Sequence, residues 1–87
     1  MFTETAHSLD AALEFDDFKS AFQFMTIVAE LAETHQHHPE WRNIYNRVWI
    51  TLTTHDAGNT ITAKDRELAR AIEQHPDVQS LNISILG

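Results

Sequence analysis

The chain has 87 residues, a length typical of one small domain, and we expect a single domain over residues 1–87. It carries 13 acidic and 6 basic residues, and the formal net charge of −7 disfavours direct binding to DNA or RNA. Cysteine is absent, which excludes disulfides and thiol nucleophiles, and no apolar run approaches the roughly 18 residues of a membrane span. These features predict a cytoplasmic protein with no membrane partner.

Two short segments and one long helix are predicted before residue 36. Residues 2–5 are interpreted as a short strand or a frayed end, and residues 11–15 as a brief strand. A helix is predicted from about residue 17 to residue 33, because Asp16 or Asp17 can cap its free amide groups. Apolar side chains then recur at spacings of three and four, as one helix face requires. They are Phe18, Ala21, Phe22, Met25, Val28, Ala29 and Ala32.

Further apolar residues widen this helix surface beyond one stripe. They are Phe24, Ile27 and Leu31. A helix that is apolar on more than one side is often covered by its own sheet and by a partner subunit. A domain of this length also has a thin core of its own. The pattern therefore predicts a homo-oligomer, either a homodimer or a homotetramer.

The period of the sequence changes after Pro39. This proline restrains His38 toward extended geometry, so the helix cannot continue. From about residue 43 to residue 54 apolar residues alternate with others, which predicts one half-buried strand. One face carries Ile44, Val48, Ile50 and Leu52. The other carries Tyr45, Arg47, Trp49, Thr51 and Thr53, and His55 continues this second face.

The last third of the chain predicts a turn, a helix and a strand. Residues 56–59 have turn composition. A helix is predicted over 63–74, begun by a capping box of Thr62 and Asp65 and ended by His75-Pro76. Residues 81–85 alternate and predict a closing strand. The fold class is therefore α+β, with two main helices packed on one face of a small antiparallel sheet.

The sequence is rich in histidine, with six in 87 residues. Three of them lie within four positions. Histidine is the side chain best suited to exchange protons near neutral pH. The adjacent His37 and His38 must point in different directions, and His55 at a strand end can face one of them across a cleft. Aromatic side chains that can stack on a planar ring follow closely, namely Trp41, Tyr45 and Trp49. This combination indicates a site for a flat heterocycle.

These residues resemble the pterin-4a-carbinolamine dehydratase family. The resemblance runs from about residue 13 to residue 74 and is strongest at residues 32–41 (AETHQHHPEW), 43–48 (NIYNRV) and 51–56 (TLTTHD). It implies dehydration of 4a-hydroxytetrahydropterin, such as 4a-hydroxytetrahydrobiopterin, to quinonoid dihydropterin during pterin recycling. It also implies that the protein is a hydro-lyase that needs neither a metal nor an organic cofactor. A proton must reach the departing 4a-hydroxyl, and another must leave a ring nitrogen.

The resemblance also implies roles for individual residues. His37, His38 and His55 correspond to the acid/base histidines, with His38 the essential group and the other two on opposite sides of the ring. Glu33 matches an acid that orients a histidine, and Asp65 matches the acid that closes the pattern. Three more residues of the motif are expected to bind or orient the substrate: Pro39, Trp41 and Tyr45.

Two features depart from the family pattern. The usual Gly-Gly after the distal histidine is Gly58-Asn59 here, and the stretch to Asp65 is one residue longer, which puts the placement of Asp65 in doubt. The N-terminal helix and the strand with a Gly-Trp pair are missing before residue 13, and residues 81–86 are a conjectural substitute for that strand.

Several residues also have structural interpretations. Asp65 can be a plain helix cap, Glu33 a last-turn acid, and Trp41 and Tyr45 core aromatics, while His35 has no counterpart in the family pattern. A zinc site is disfavoured, since adjacent histidines seldom chelate one ion. The alternative function is that of a non-catalytic partner protein, such as a dimerisation cofactor or an assembly factor. A third is a protein that binds pterin without turning it over.

Overall fold

A computed structural model describes residues 1–86 of the chain; Gly87, the last residue of the predicted domain, lies outside the described residues. The elements in chain order are strands β1 (Thr3–Glu4) and β2 (Leu9–Glu14), helix α1 (Phe18–His35), strands β3 (Glu40–Ile44) and β4 (Arg47–Leu52), a 3₁₀ turn (His55–Ala57), helices α2 (Ala63–Gln74) and α3 (Pro76–Gln79), and strand β5 (Ser84–Ile85). The predicted α+β fold class is confirmed, with helices packed on a small antiparallel sheet.

The sheet has the order β1-β2-β4-β3, and every pair in it is antiparallel. Strand β4 pairs with β2 along its whole length, from Leu9 opposite Leu52 to Glu14 opposite Arg47. The other edge of β2 is therefore shared: β1 pairs with its first two residues and β5 with its last two. Strand β5 thus extends the edge of β2 that β1 covers in part.

The core lies between one sheet face and the helices. Alternate residues of β2 and β4 are buried, as a strand period of two requires. Helix α1 buries one stripe against them, consisting of Ala21, Phe24, Val28 and Ala32. Helix α2 adds Leu68, Ala69 and Ile72. Asp17 caps α1 by accepting a hydrogen bond from the Ser20 amide at 2.8 Å, as the sequence predicted.

The single strand predicted over residues 43–54 is wrong. The segment is a hairpin, in which Tyr45 and Asn46 form a two-residue loop between β3 and β4. The Asn43 side chain holds the loop by donating to the Tyr45 carbonyl at 3.1 Å and to the Arg47 carbonyl at 2.9 Å. Ile44, expected on the buried face, is 55% exposed. The turn shifts the alternation by one residue, so the less exposed positions have odd numbers in β3 and even numbers in β4.

Of two expectations about the ends of elements, the end of α2 is confirmed and the closing strand needs correction. His75-Pro76 ends α2, but Pro76 immediately begins the short helix α3, because proline is accommodated in a first helical turn. The closing strand predicted over residues 81–85 pairs with β2 at Ser84–Ile85 alone. Within residues 1–86, no helix combines the length and apolar character needed to cross a membrane.

The apolar surface of α1 also differs from the prediction. Phe24 is fully buried in the core of its own chain, where its ring lies 5.1 Å from that of Phe15. Ile27 and Leu31 are partly buried against the same core. The large side chains that remain exposed on α1 are instead Phe18 and Phe22, at 47% and 54%. They lie on one helix face with ring centroids 5.7 Å apart.

Candidate active site

The two adjacent histidines follow directly from the way α1 ends. Gln36 adopts a left-handed conformation with a φ of 50°, and the His37 amide donates to the Ala32 carbonyl at 3.0 Å. This arrangement satisfies the last helical carbonyls and releases the chain from the helix axis. The side chain of His37 is 11% exposed and that of His38 is 65% exposed. The two neighbours therefore lie in different environments: the His37 side chain is mostly buried and the His38 side chain is open to solvent.

The inward histidine meets a buried carboxylate. His37 Nε2 lies 2.5 Å from Asp65 Oδ1, and the Asp65 side chain is fully buried. The other carboxylate oxygen accepts hydrogen bonds from the Thr54 hydroxyl at 2.7 Å and the Thr62 amide at 2.9 Å. Asp65 is thus the helix cap that the sequence predicted and also a partner of His37. One side chain does both because its two oxygens face different elements.

Hydrogen bonds keep the buried carboxylate ionised. Burial by itself raises the pKa of Asp65, because a carboxylate loses hydration in the interior. The hydrogen bonds from His37, the Thr54 hydroxyl and the Thr62 amide outweigh that effect and hold the pKa below its ordinary value. An ionised carboxylate can accept hydrogen bonds but cannot donate one. His37 must therefore carry its hydrogen on Nε2, and the carboxylate fixes this tautomer.

The outward histidine has a carboxylate of its own. His38 Nε2 lies 2.5 Å from Glu33 Oε2, a residue in the last turns of α1. Both side chains are well exposed, at 65% and 76%. Exposed ion pairs contribute about 0–1 kcal/mol to stability, since water screens them and two long side chains must be ordered. The contact therefore orients the His38 ring more than it stabilises the fold.

The third histidine stands across from the pair, at the start of the 3₁₀ turn after β4. Its ring is held by a residue that the sequence analysis did not single out: His55 Nδ1 lies 2.7 Å from Asn59 Oδ1. The signal for Asn59 was the lengthened stretch between His55 and Asp65. Gly58 and Asn59 both have positive φ, 81° and 56°, which glycine and asparagine accept more readily than other residues.

The three histidines line one open cleft of about 220 Å³. The structure thus brings together the three side chains predicted to be catalytic, from the end of α1 and the end of β4. The other lining residues were not predicted to be site residues, since the family resemblance gave no role to them. They are Gln36, Thr53, Thr54, Asp56 and Lys64.

A second cleft, of about 290 Å³, lies on the other side of His38. Pro39 and Trp41 line it, together with Ala29, Ala32 and Glu33. Trp41 pairs with Ile50 across the hairpin and so lies on the core face of β3, beside α1. The two clefts share the His38 side chain as a wall. Two of the three residues expected to bind or orient the substrate therefore lie next to the histidines.

The other two aromatic residues do not join them. Tyr45 occupies the hairpin loop, has a φ of 49°, is 64% exposed and lines neither cleft. Trp49 lies on the sheet face opposite the core, where the Arg42 guanidinium sits 4.3 Å above its ring. The expectation that His55 shares a strand face with Tyr45 is wrong, because the hairpin turn removes Tyr45 from the strand. A stacking wall built from all three aromatic residues is not formed.

Metal ligation was the competing interpretation of the histidines. In the part of the chain that the structure describes, no three His, Asp or Glu side chains form a cluster that could hold a metal ion. Each imidazole of the cleft instead contacts its own acceptor: Asp65 for His37, Glu33 for His38 and Asn59 for His55. The arrangement can hold three rings in set orientations around a small molecule, with one nitrogen of each ring left for proton exchange.

The fold and the cleft define a small α+β protein with a histidine-lined site. Comparisons with known proteins identify its family. Residues 2–75 match the sequence model of a family described as pterin 4 alpha carbinolamine dehydratase. The chain belongs to this family.

Relatives from two bacteria carry the name "Putative pterin-4-alpha-carbinolamine dehydratase". The protein of Rhodopseudomonas palustris (strain BisB18) is 60% identical over 58 residues, which cover 67% of this chain and 56% of that protein. The protein of Rhizorhabdus wittichii is 53% identical over 66 residues, which cover 76% of this chain and 67% of that protein. The chain thus spans little more than half of the first relative and two thirds of the second.

A solved structure has the same fold. It is a crystal structure described as a transcriptional coactivator/pterin dehydratase from Brucella melitensis. Its sequence is 40% identical, the TM-score is 0.74, and the match covers 84% of this chain and 77% of that one.

Proposed function

We propose that the chain dehydrates 4a-hydroxytetrahydropterin to quinonoid dihydropterin by histidine acid/base catalysis. The observation that carries the proposal is the convergence of His37, His38 and His55 on one cleft, each held by a separate acceptor. Membership of the family supplies the substrate class, and the cleft supplies the groups that the reaction needs.

The chemistry requires two proton transfers. The C4a–O bond breaks as a proton is delivered to the departing hydroxyl, which leaves as water. A second proton leaves a ring nitrogen, so the protein ends with the same number of protons as it had at the start. Imidazoles suit both transfers because they donate and accept protons near neutral pH.

We assign the central role to His38, whose ring separates the two clefts. Pro39 and Trp41 form apolar walls of the second cleft, and these walls support the proposal that a flat ring binds on that side of His38. His37 and His55 then act from the opposite sides of the pterin. Asp65 and Glu33 orient the rings of His37 and His38, and Tyr45 has no part in this proposal.

The direct test is the rate of 4a-carbinolamine dehydration with and without the purified protein. We expect a clear acceleration that survives exhaustive treatment with a chelator, since imidazole proton transfer needs no metal. Loss of activity that zinc alone restores would overturn this mechanism. No acceleration by a correctly folded protein would favour the alternative, a non-catalytic partner protein on the same fold.

We also propose that the chain forms a homodimer or homotetramer. The support is the exposed Phe18–Phe22 pair on α1, because a small domain rarely leaves two adjacent phenylalanines about half exposed. Sedimentation at tens of micromolar protein tests it. A dimer or larger species that Phe22→Ser weakens is expected. A wild-type chain that sediments as a 10 kDa species would refute the proposal.

A further inference from the structure

Asn59 lies in the loop that departs from the family pattern, and its side chain touches one of the three histidines. Asn59 Oδ1 is 2.7 Å from His55 Nδ1. An amide oxygen accepts hydrogen bonds and cannot donate them. The hydrogen in this contact must therefore belong to His55 Nδ1, which leaves Nε2 as the nitrogen with a free lone pair.

This tautomer is the opposite of the one held at the other two histidines. His37 and His38 direct Nε2 at carboxylates, so that each carries its hydrogen there. His55 directs Nδ1 at an uncharged amide. The cleft therefore contains two kinds of imidazole: two that contact their acceptors through Nε2, and one that does so through Nδ1. In the part of the chain that the structure describes, no hydrogen bond from protein engages His55 Nε2.

The backbone of the loop keeps the amide in place. The Asn59 amide nitrogen donates to the Thr54 carbonyl at 3.1 Å, and the Gly58 amide donates to the His55 carbonyl at 3.0 Å. The Thr54 amide donates to the Thr60 carbonyl at 3.0 Å, which closes the loop. The Thr54 hydroxyl in turn donates to the carboxylate of Asp65. The anchor of the loop is thus the residue that also supports the partner of His37.

We infer that Asn59 is a positioning residue, which holds His55 in the Nδ1–H tautomer and so presents Nε2 to the cleft as a proton acceptor. This inference rests on the proposed function for its catalytic consequence. In the proposed reaction His55 can then accept a proton from the pterin through Nε2, whereas His37 and His38 can exchange protons only through Nδ1. Asn59 itself does not touch the reacting atoms.

The lengthened loop has another explanation, that Asn59 is present for its backbone conformation alone. Its φ of 56° is one that asparagine tolerates well. Two substitutions separate the explanations. Asn59→Gly keeps the left-handed conformation and removes the amide oxygen. Asn59→Asp keeps an oxygen that can accept the same hydrogen bond.

The tautomer can be read directly from the nitrogen chemical shifts of His55 in the ¹⁵N-labelled full chain, without substrate and at a pH where the ring is neutral. We expect a hydrogen-bearing Nδ1 and a bare Nε2 in the wild type and in Asn59→Asp, and a mixture of tautomers in Asn59→Gly. A hydrogen-bearing Nε2 in the wild type would overturn the inference. So would an Asn59→Gly spectrum identical to that of the wild type.

Kinetics supply the second measurement. Asn59→Gly should lower kcat by about two- to tenfold, the range given by one net hydrogen bond, with KM nearly unchanged. Asn59→Asp should retain most of the rate. If the wild type shows the Nδ1–H tautomer but does not dehydrate the pterin, the proposed function fails while the positioning of His55 by Asn59 stands. Full activity in Asn59→Gly would refute the positioning role.

Discussion

His37 and His38 are adjacent in the chain, and each contacts a carboxylate at 2.5 Å, but the two pairs belong to different parts of the molecule. The partner of His37 is Asp65, which is 28 residues away, fully buried and hydrogen-bonded to two further groups. The partner of His38 is Glu33, which is five residues away and 76% exposed. The same chemical contact therefore joins separate elements of the fold at His37, which we call the buried joint, and is a local surface contact at His38.

The difference shows how one short segment can be both held in place and open to solvent. The His37–Asp65 pair connects the end of α1 to the start of α2, and through Thr54 to the end of β4. This joint fixes the backbone that carries His38. The His38 ring can then stay open to solvent, because its position does not depend on its own burial.

The largest expected effect breaks the buried pair. Asp65→Ala removes the acceptor of His37, the Thr54 hydroxyl and the Thr62 amide at once, and leaves those groups without their partner. Leaving a buried donor without an acceptor costs about 1–3 kcal/mol per group. Urea unfolding at neutral pH should show a loss of stability in that range. A loss below about 1 kcal/mol would mean that the joint does not hold the three elements together.

Acid should act on the same joint. The pKa of Asp65 in the folded chain lies below its ordinary value, so the unfolded chain takes up the proton first as pH falls. The stability from the ionised carboxylate is complete above about pH 4 to 5, the region of the unfolded pKa, and is lost as pH falls through the folded pKa.

The matched variant for the acid effect is Asp65→Asn, which has no carboxylate to protonate. Between pH 6 and pH 3 the wild type should lose more unfolding free energy than Asp65→Asn does. Both should still lose some, since the pKa values of Glu4 and Asp17 are also lowered, by Arg66 and by the Ser20 amide respectively. Equal losses in the two proteins would remove Asp65 from the explanation of acid sensitivity.

The smallest expected effect is on the exposed pair. Glu33→Gln keeps the shape of the side chain and removes its charge, and it should change the unfolding free energy by less than about 0.5 kcal/mol. Its effect should instead appear in the dehydration rate, because Glu33 orients His38. A loss of stability similar to that of Asp65→Ala would abolish the distinction between the two pairs.

Much of the fold could be predicted from the sequence, because hydrophobic periodicity marks helices and strands directly. Both main helices were located, with boundaries within about two residues. The hairpin was not, since its turn contains no glycine or proline and shifts the buried alternation by one residue. Ile44 and Tyr45 conceal that shift in the sequence. Both are apolar and consecutive, and they lie where the less exposed positions change from odd to even residue numbers.

The sequence indicated which histidines lie near one another better than it indicated their contacts. The motif indicated His37, His38 and His55, and all three line one cleft. The capping box located Asp65, but its contact with a histidine 28 residues away depends on how α1 and α2 pack. The lengthened stretch after His55 drew attention to the loop, but the contact of Asn59 with His55 depends on the folded conformation of that loop.

One measurement tests the central claim, that a histidine cluster supported by the buried joint performs acid/base catalysis. It is the turnover of 4a-carbinolamine by four alanine variants, with folding verified for each. His38→Ala should lose on the order of a hundredfold or more, since general acid–base groups contribute about 10²–10⁴ in rate. His37→Ala and His55→Ala should lose less on a racemic substrate, because each spares the enantiomer that the other handles. His35→Ala, outside the cleft, should match the wild type. Equal small losses in all four variants would contradict the account and leave the histidines as the lining of a binding surface.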